Sequence, residues 1–112
     1  MELLTRELRE QLLANGRRQQ PLRGTTEEID FPPVVKLFTP DASATWFLTE
    51  IDPDELDLAF GLCDLGLGFP ELEAVSLADL AAVCGALDLH FTATMTLSAY
   101  ADEARRCGSI HR

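Results

Sequence analysis

Several common signals are missing from this chain, and each absence narrows what the chain can be. No apolar run approaches the roughly 18 residues of a membrane-spanning helix, so we expect no membrane span. The first residues, MELLTRELRE, lack a basic region followed by an apolar core, which argues against a secretory signal. The cysteines, Cys63, Cys84 and Cys107, form no CxxC pair, which favours reduced thiols and a cytoplasmic location.

Sequence motifs of the common enzyme classes are missing as well. The chain contains no GxSxG elbow, no P-loop and no GxGxxG fingerprint. The stretch DLGLG at 64–68 is only superficially like a phosphate loop, because it lacks the lysine and has acidic neighbours. His90 lies between two apolar residues, as an ordinary strand histidine does, although a general base is the alternative. We therefore predict a non-enzymatic protein without a cofactor.

Positive charge is scarce in the middle of the chain. Residues 27–88 hold fourteen carboxylates against Lys36 alone, a net charge of −13. Residues 1–26 and 89–112 carry +2 and +1, which brings the whole chain to −10. Because an acidic surface repels phosphate, we expect no direct nucleic-acid binding by this middle section.

The carboxylates are densest just before the middle of the chain. The candidate partner-binding residues are the carboxylates of this cluster and of the loop and strand after it: Glu50, Asp52, Asp54, Glu55, Asp57, Asp64, Glu71 and Glu73. A calcium loop starting at Asp52 needs Gly at its sixth and Glu at its twelfth position, where Asp57 and Cys63 stand. We therefore predict no metal site, and a solvated turn is the simpler interpretation of the cluster.

Periodicity predicts the strands of a sheet. Residues 33–39 and 45–51 are rich in β-branched and aromatic residues, which is typical of strands, and turn-forming residues at 39–43 predict a hairpin loop between them. Residues 58–63 alternate large and small side chains with period two. After the glycine- and proline-containing loop at 64–70, residues 71–75 predict another strand and 87–91 a short one.

Three helices complete the predicted fold. Leucines at four-residue spacing predict a helix over 5–15 that ends at Gly16. Ser76 and Asp79 match a capping box, which predicts a helix after Ser76, and a short C-terminal helix over 98–106 ends at Gly108. The expected class is α+β, with an antiparallel sheet of four to five strands in a single domain over 1–112. Residues 16–32 are expected to form a loop or partly mobile linker, and 108–112 a loose tail.

The predicted core consists of large apolar residues on the inward faces of these elements. They are Leu8, Leu12, Val35, Leu37, Phe47, Leu48, Phe60, Leu62, Leu72, Leu77, Leu80 and Phe91. Trp46 and Phe69 are assigned either to the core or to a patch that faces a partner. An apolar interface built on Trp46, Phe69 or Leu67 is the alternative to binding through the carboxylates.

Four segments in a fixed order carry a family resemblance. They are LLTRELREQL at 3–12, VVKLFTPDASATWFLTE at 34–50, FGLCDLGLGFPELEAVSLADL at 60–80, and DLHF at 88–91 followed by LSAYADEAR. Together they resemble an uncharacterised domain-of-unknown-function family of small bacterial proteins encoded on plasmids, integrative elements and phages. Members usually have a longer connection before the DLHF-like segment than 83–87 here. The resemblance implies a mobile-element context and brings no catalytic residues.

Charge and context together predict an interaction protein. Fixed carboxylates can imitate phosphates and occupy a basic groove, and mobile elements benefit from blocking restriction or CRISPR machinery, whose DNA channels are basic. The leading hypothesis is a non-enzymatic inhibitor of a host defence nuclease or of a CRISPR/restriction complex. An accessory interaction domain in plasmid replication or conjugative transfer is the alternative, and a small hydrolase is the weakest. The expected partner is a host protein or nucleoprotein complex with a basic groove. Self-association is left open, and acidity that serves only solubility is the simplest account.

Overall fold

The computed structural model describes residues 3–40, 43–83 and 85–110. Its helices are α1 (Arg6–Gln19), α2 (Leu77–Ala82) and α3 (Leu97–Cys107), with a short 3-10 helix at Gln20–Leu22. Its strands are β1 (Val35–Phe38), β2 (Thr45–Asp52), β3 (Glu55–Asp64), β4 (Glu71–Ser76) and β5 (Ala86–Leu87). The strands form one sheet in the order β4-β3-β2-β1-β5, and each neighbouring pair is antiparallel. This confirms the predicted α+β class.

The sheet is covered by helices on both of its faces. Leu12 of α1 and Leu80 of α2 belong to one apolar cluster with Leu48 of β2, on what we call the α1 face. Ala101 of α3 belongs to a second cluster with Phe47, on the opposite α3 face. Because successive strand side chains alternate between faces, β2 contributes to both clusters and is buried at every position from 45 to 51. β2 is therefore the central strand of the sheet, with apolar side chains on both faces.

The first helix is longer than its sequence pattern predicts. The Thr5 side chain accepts a hydrogen bond from the backbone N–H of Leu8, so Thr5 is the N-cap. The helix does not end at Gly16, however, but continues to Gln19. Gly16 is buried inside the helix and packs closely on β2. A Cβ at this position would lie 1.8 Å from the carbonyl oxygen of Ile51. The glycine therefore serves close packing of α1 on β2, and not helix termination.

The expected loop over 16–32 is partly helical and is tied to the rest of the fold. After the 3-10 helix the backbone is irregular, with Gly24 at φ 76°. The side chain of Gln19 donates to the carbonyl of Ile29 at 2.8 Å and accepts from its N–H at 2.9 Å. Phe31 is buried, and its carbonyl accepts from the N–H of Leu97 at the start of α3. These contacts tie residues 29–31 to the end of α1 and to the start of α3.

The hairpin loop predicted at 39–43 lies partly outside the described residues.

The last strand is shorter than predicted. β5 contains only Ala86 and Leu87, paired with β1. The expected strand over 87–91 is wrong beyond Leu87, because His90 lies in an exposed turn where its backbone N–H donates to Asp88. His90 is therefore not a strand histidine.

The chain end differs from the expected loose tail at 108–112. Gly108 has φ 80° and caps α3, as predicted. Ile110 is buried in the α3-face cluster, and its N–H donates to the Asp64 carboxylate at 2.8 Å. Residues 111–112 lie outside the described residues. The segment up to Ile110 is thus anchored to the end of β3.

Most predicted core residues are buried, with one exception. The eight buried ones are Leu12, Val35, Leu37, Phe47, Leu48, Leu62, Leu77 and Leu80. Leu8, Phe60 and Phe91 pack partly buried against the clusters. Leu72 is 38% exposed because β4 is an edge strand, so its assignment to the core is wrong. In the described ranges no helix is long and apolar enough to span a membrane.

Candidate functional site

The eight candidate carboxylates do not converge on one surface. Asp52, Asp54 and Glu55 lie at the β2–β3 turn, whereas Asp64 is the last residue of β3. Nine residue steps of strand, at about 3.3 Å each, separate Glu55 from Asp64 by about 30 Å. The candidates are therefore spread along the sheet from one end to the other, and they have different environments.

Glu50 is a buried carboxylate held by its neighbours. A bulge shifts the β2–β3 register between Leu48 and Glu50, so that Glu50 lies opposite Phe60. Its side chain is only 3% exposed and pairs with the Arg23 guanidinium at 2.9 Å. Burial raises the pKa of Glu50 above its ordinary value, and the nearby Arg23 charge only partly opposes this. This carboxylate anchors the segment after α1 to the sheet and is not at the surface.

Asp57 is exposed but is engaged by the start of α2. Its carboxylate accepts from the Ser76 hydroxyl at 2.5 Å and from the Ala78 N–H at 2.9 Å. The Ser76 side chain in turn accepts from the N–H of Asp79, which confirms the predicted cap. The hydrogen bond from Ser76, followed by the one from Ala78, lowers the pKa of Asp57. Its role in the structure is therefore to hold the helix N-terminus, as carboxylates commonly do.

Asp64 is buried at the opposite end of β3. One carboxylate oxygen accepts from the N–H of Gly66 and the other from the N–H of Ile110, each at 2.8 Å. The residue is 3% exposed. It connects the start of the loop after β3 to the C-terminal segment, and this position leaves it unavailable to a partner.

Five of the eight candidates remain accessible. Asp52 is half-buried and accepts from the Asp54 N–H, and Asp54 accepts from the Gln20 side chain at 2.5 Å. Glu55, Glu71 and Glu73 are exposed. In the described part of the chain, no ion pair involves any of these five. Their charge is therefore not neutralised by cations of the residues that the structure describes.

An apolar ridge lies beside two of these carboxylates, in the loop between β3 and β4. We define the ridge as Leu65, Leu67 and Phe69, which are 54%, 72% and 78% exposed. Between them, Gly66 and Gly68 have φ of 80° and 86°, a backbone conformation that glycine adopts without strain. These glycines let the loop turn at alternate residues while the three apolar side chains remain in solvent.

The ridge forms one wall of a shallow cleft at the sheet edge. The cleft has a volume of about 200 Å³, and besides the ridge it is lined by Cys63, Glu71 and Glu73. Burial, together with Glu73, raises the pKa of the Cys63 thiol to about 12. A thiol with that pKa stays protonated at neutral pH, so Cys63 contributes an apolar floor and not a nucleophile. We call the ridge and the two glutamates the ridge surface.

The sequence identifies most residues of the ridge surface, but not that they form one surface. Charge identifies Glu71 and Glu73 as candidates, and the sequence assigns Phe69 either to the core or to a partner patch. The exposure of Phe69 shows that it belongs to the surface. Trp46 is 5% exposed and belongs to the core. Leu67 is part of the alternative apolar interface with Trp46 and Phe69, whereas Leu65 is assigned only to a loop. Apolar residues that alternate with glycines in a turn are the signal that could have identified Leu65 as well.

Two other clefts are lined by residues with structural roles. One cleft, of about 210 Å³, is lined by Gln19, Glu50 and Asp30. The side chains of Gln19 and Glu50 are already engaged by Ile29 and Arg23, as described above. Burial raises the pKa of Asp30, but hydrogen bonds from Ser98 and Thr96 together more than offset this, so the pKa is lowered. A more polar cleft of about 360 Å³ surrounds Asp64 and Gly108. No group of three potential metal ligands occurs among the described residues.

The chain belongs to a family of proteins of unknown function, DUF2958, whose model matches residues 3–111. This confirms the membership in a domain-of-unknown-function family that the four ordered segments indicated. Comparisons with curated proteins and with solved structures give no significant match.

Proposed function

We propose that this protein is a non-enzymatic interaction protein that binds a basic groove of a nucleic-acid-handling partner through its ridge surface. One observation carries the proposal: three exposed apolar side chains lie directly beside two exposed glutamates without an ion pair in the described chain. Contiguous exposed apolar residues commonly mark interaction sites. The adjacent carboxylates favour a cationic partner and speed its association.

Other kinds of ligand fit this surface less well. Pockets for small molecules usually enclose about 300–1,000 Å³, whereas the cleft beside the ridge has about 200 Å³. Anionic lipid surfaces attract basic segments and repel a chain of net charge −10. A cleft of this size, open at a sheet edge, suits side chains of a protein.

The finer proposal is inhibition by nucleic-acid mimicry. The protein would come from a mobile element and occupy the DNA channel of a host restriction or CRISPR nuclease, with Glu71 and Glu73 opposite cations that otherwise contact phosphate. Because Glu50, Asp57 and Asp64 are engaged internally, the mimic involves fewer carboxylates than the eight candidates. The accessible carboxylates at the β2–β3 turn, about 20 to 26 Å away along the strands, would contribute to long-range attraction. An accessory role in plasmid replication or transfer would use the same surface without inhibition.

Purified restriction endonucleases and CRISPR effector complexes provide the test. We expect DNA cleavage by at least one of them to be inhibited, with association slowing steeply as salt rises above 0.1 M. The double variants Leu67→Ser/Phe69→Ser and Glu71→Gln/Glu73→Gln should each weaken inhibition. The control Glu7→Gln/Glu27→Gln, which removes two exposed charges elsewhere, should not.

The outcomes separate the alternatives. If a nuclease binds this protein and its DNA together, the mimicry proposal is wrong and the accessory role is favoured. If no basic partner binds, or if the two ridge-surface variants behave as the control does, the proposed surface is wrong. The protein alone should not shift duplex DNA at physiological salt, and sub-micromolar binding would contradict the expected charge repulsion.

A further inference from the structure

The outer edge of β4 is open. β4 is the terminal strand of the sheet, and positions 71 to 74 are all exposed. In the described ranges, no backbone hydrogen bond beyond the ladder with β3 involves residues 71–75. Alternate peptide groups of an edge strand point away from the sheet and can pair with another chain. The open edge is about five residues long, between Pro70 and the N-cap residue of α2.

The two faces of this edge differ in chemistry. Glu71 and Glu73 lie opposite Cys63 and Gly61, so their side chains are on the α1 face. Leu72 lies opposite Leu62, so it and Ala74 are on the α3 face. An added strand would therefore meet carboxylates on one face and apolar groups on the other. A segment with alternating basic and apolar residues complements both faces.

A second copy of this chain is a poorer occupant of the edge. Antiparallel pairing of two β4 strands centred on position 73 would place Glu73 opposite Glu73 of the other copy. Like charges directly opposite each other on a sheet are destabilising. Each copy also carries a net charge of −10, which opposes association at low salt.

We propose that the partner adds an extended segment to β4 as a sixth strand. Its Lys or Arg side chains face Glu71 and Glu73, and its apolar side chains face Leu72 and Ala74. Main-chain hydrogen bonds to the open edge supply affinity, and the alternating side chains supply specificity. One end of the segment reaches the cleft beside the ridge, because that cleft is lined by Glu71 and Glu73 as well as by Phe69. This inference rests on the proposed function and specifies how the basic partner is held.

A short peptide of alternating lysine and valine is the probe, and a peptide of the same composition with separate lysine and valine blocks is its control. We expect the alternating peptide to bind more tightly and to slow hydrogen exchange of outward-pointing β4 amides. Glu71→Gln/Glu73→Gln should weaken binding by about three- to tenfold, since cross-strand charge pairs have modest energies. Glu7→Gln/Glu27→Gln should leave it unchanged.

Two N-methylated peptides distinguish strand addition from simple charge attraction. One peptide is methylated at the backbone nitrogen of every lysine and the other at the backbone nitrogen of every valine. Each peptide thus loses the main-chain donors of one strand edge and keeps its charge. Only one edge of an added strand faces β4, so one methylated peptide should bind and the other should not. The proposal is overturned if both methylated peptides bind equally well or lose binding equally, or if the alternating peptide does not bind. It is also overturned if β4 amides become protected with rising protein concentration in the absence of peptide. Nuclease inhibition that persists in any of these cases would leave the proposed function intact.

Discussion

Gly16 of α1 lies against the backbone of Ile51 in β2, and no side chain separates the two elements there. A Cβ on Gly16 would lie 1.8 Å from the Ile51 carbonyl oxygen and 2.9 Å from its carbonyl carbon. Both atoms are backbone, so neither can rotate away. The contact brings the helix close to the central strand and so sets the depth of the α1-face core.

Substitution of Gly16 by Ala is therefore expected to destabilise the protein, on the order of 3 kcal/mol, because the helix must move away from β2. Intrinsic helix propensity predicts the opposite, a gain of about 1 kcal/mol. Chemical denaturation of the variant and the parent measures the difference. Ala14→Gly, at an exposed position of the same helix, is the control and should cost about 1 kcal/mol. An unchanged or increased stability of the Gly16 variant would show that the close contact is not important.

The buried Glu50 is expected to make stability depend on pH in an identifiable direction. Its pKa in the folded protein is raised above the ordinary value of 4.5, first by burial. A raised acid pKa means that the folded state binds the proton more tightly, so the contribution of Glu50 to stability is greatest below pH 4.5 and is lost as pH rises through the raised value. Replacement by Gln removes this titration.

The stability of the parent relative to Glu50→Gln should consequently fall between pH 4 and pH 7. Thermal denaturation of both proteins across this range tests the expectation, since contributions of other groups are shared and cancel. Glu55→Gln, which removes an exposed charge, should show a much smaller change. A parent that gains stability over the variant with rising pH would indicate that the Arg23 pair outweighs the cost of burial.

The third expectation concerns Asp64 and Ile110. Asp64→Asn leaves one acceptor oxygen for two backbone N–H donors, so one donor loses its partner at a buried site. We expect a loss of about 1–3 kcal/mol and faster hydrogen exchange at the amide of Ile110. Ile110→Ala should cost about 2 kcal/mol through lost burial. If neither variant affects stability, the C-terminal segment contributes nothing to the α3-face core. Glu55→Gln is again the matched exposed control.

Local interactions explain which parts of the fold could be predicted. Thr5, Ser76 and Gly108 cap their helices through groups within three residues or through their own backbone φ. The period-two pattern of β3 and the two-sided apolar character of β2 likewise depend only on neighbouring residues. Because such signals act over a few residues, they identified the elements, their order and the α+β class from the sequence.

The candidate site was predictable only in part, for the same reason. Charge and spacing identify carboxylates, but they do not show which ones the fold uses. Glu50 and Asp64 were grouped with the exposed Glu71, although partners 27 and 46 residues away in the chain, Arg23 and Ile110, engage them. The sequence left the exposure of the ridge open, because exposure of an apolar loop depends on whether another element covers it.

By itself, the sequence determined which segments form the main helices and strands, apart from the ends of α1 and β5, and it determined the excess of negative charge, since composition and short-range spacing specify both. Only the tertiary structure decided that Gly16 lies within a helix, that Leu72 is exposed while Trp46 is buried, and that accessible carboxylates adjoin an apolar ridge at an open strand edge. These properties depend on which residues distant in the chain come into contact. Burial, and with it the availability of a charge to a partner, is set by those contacts.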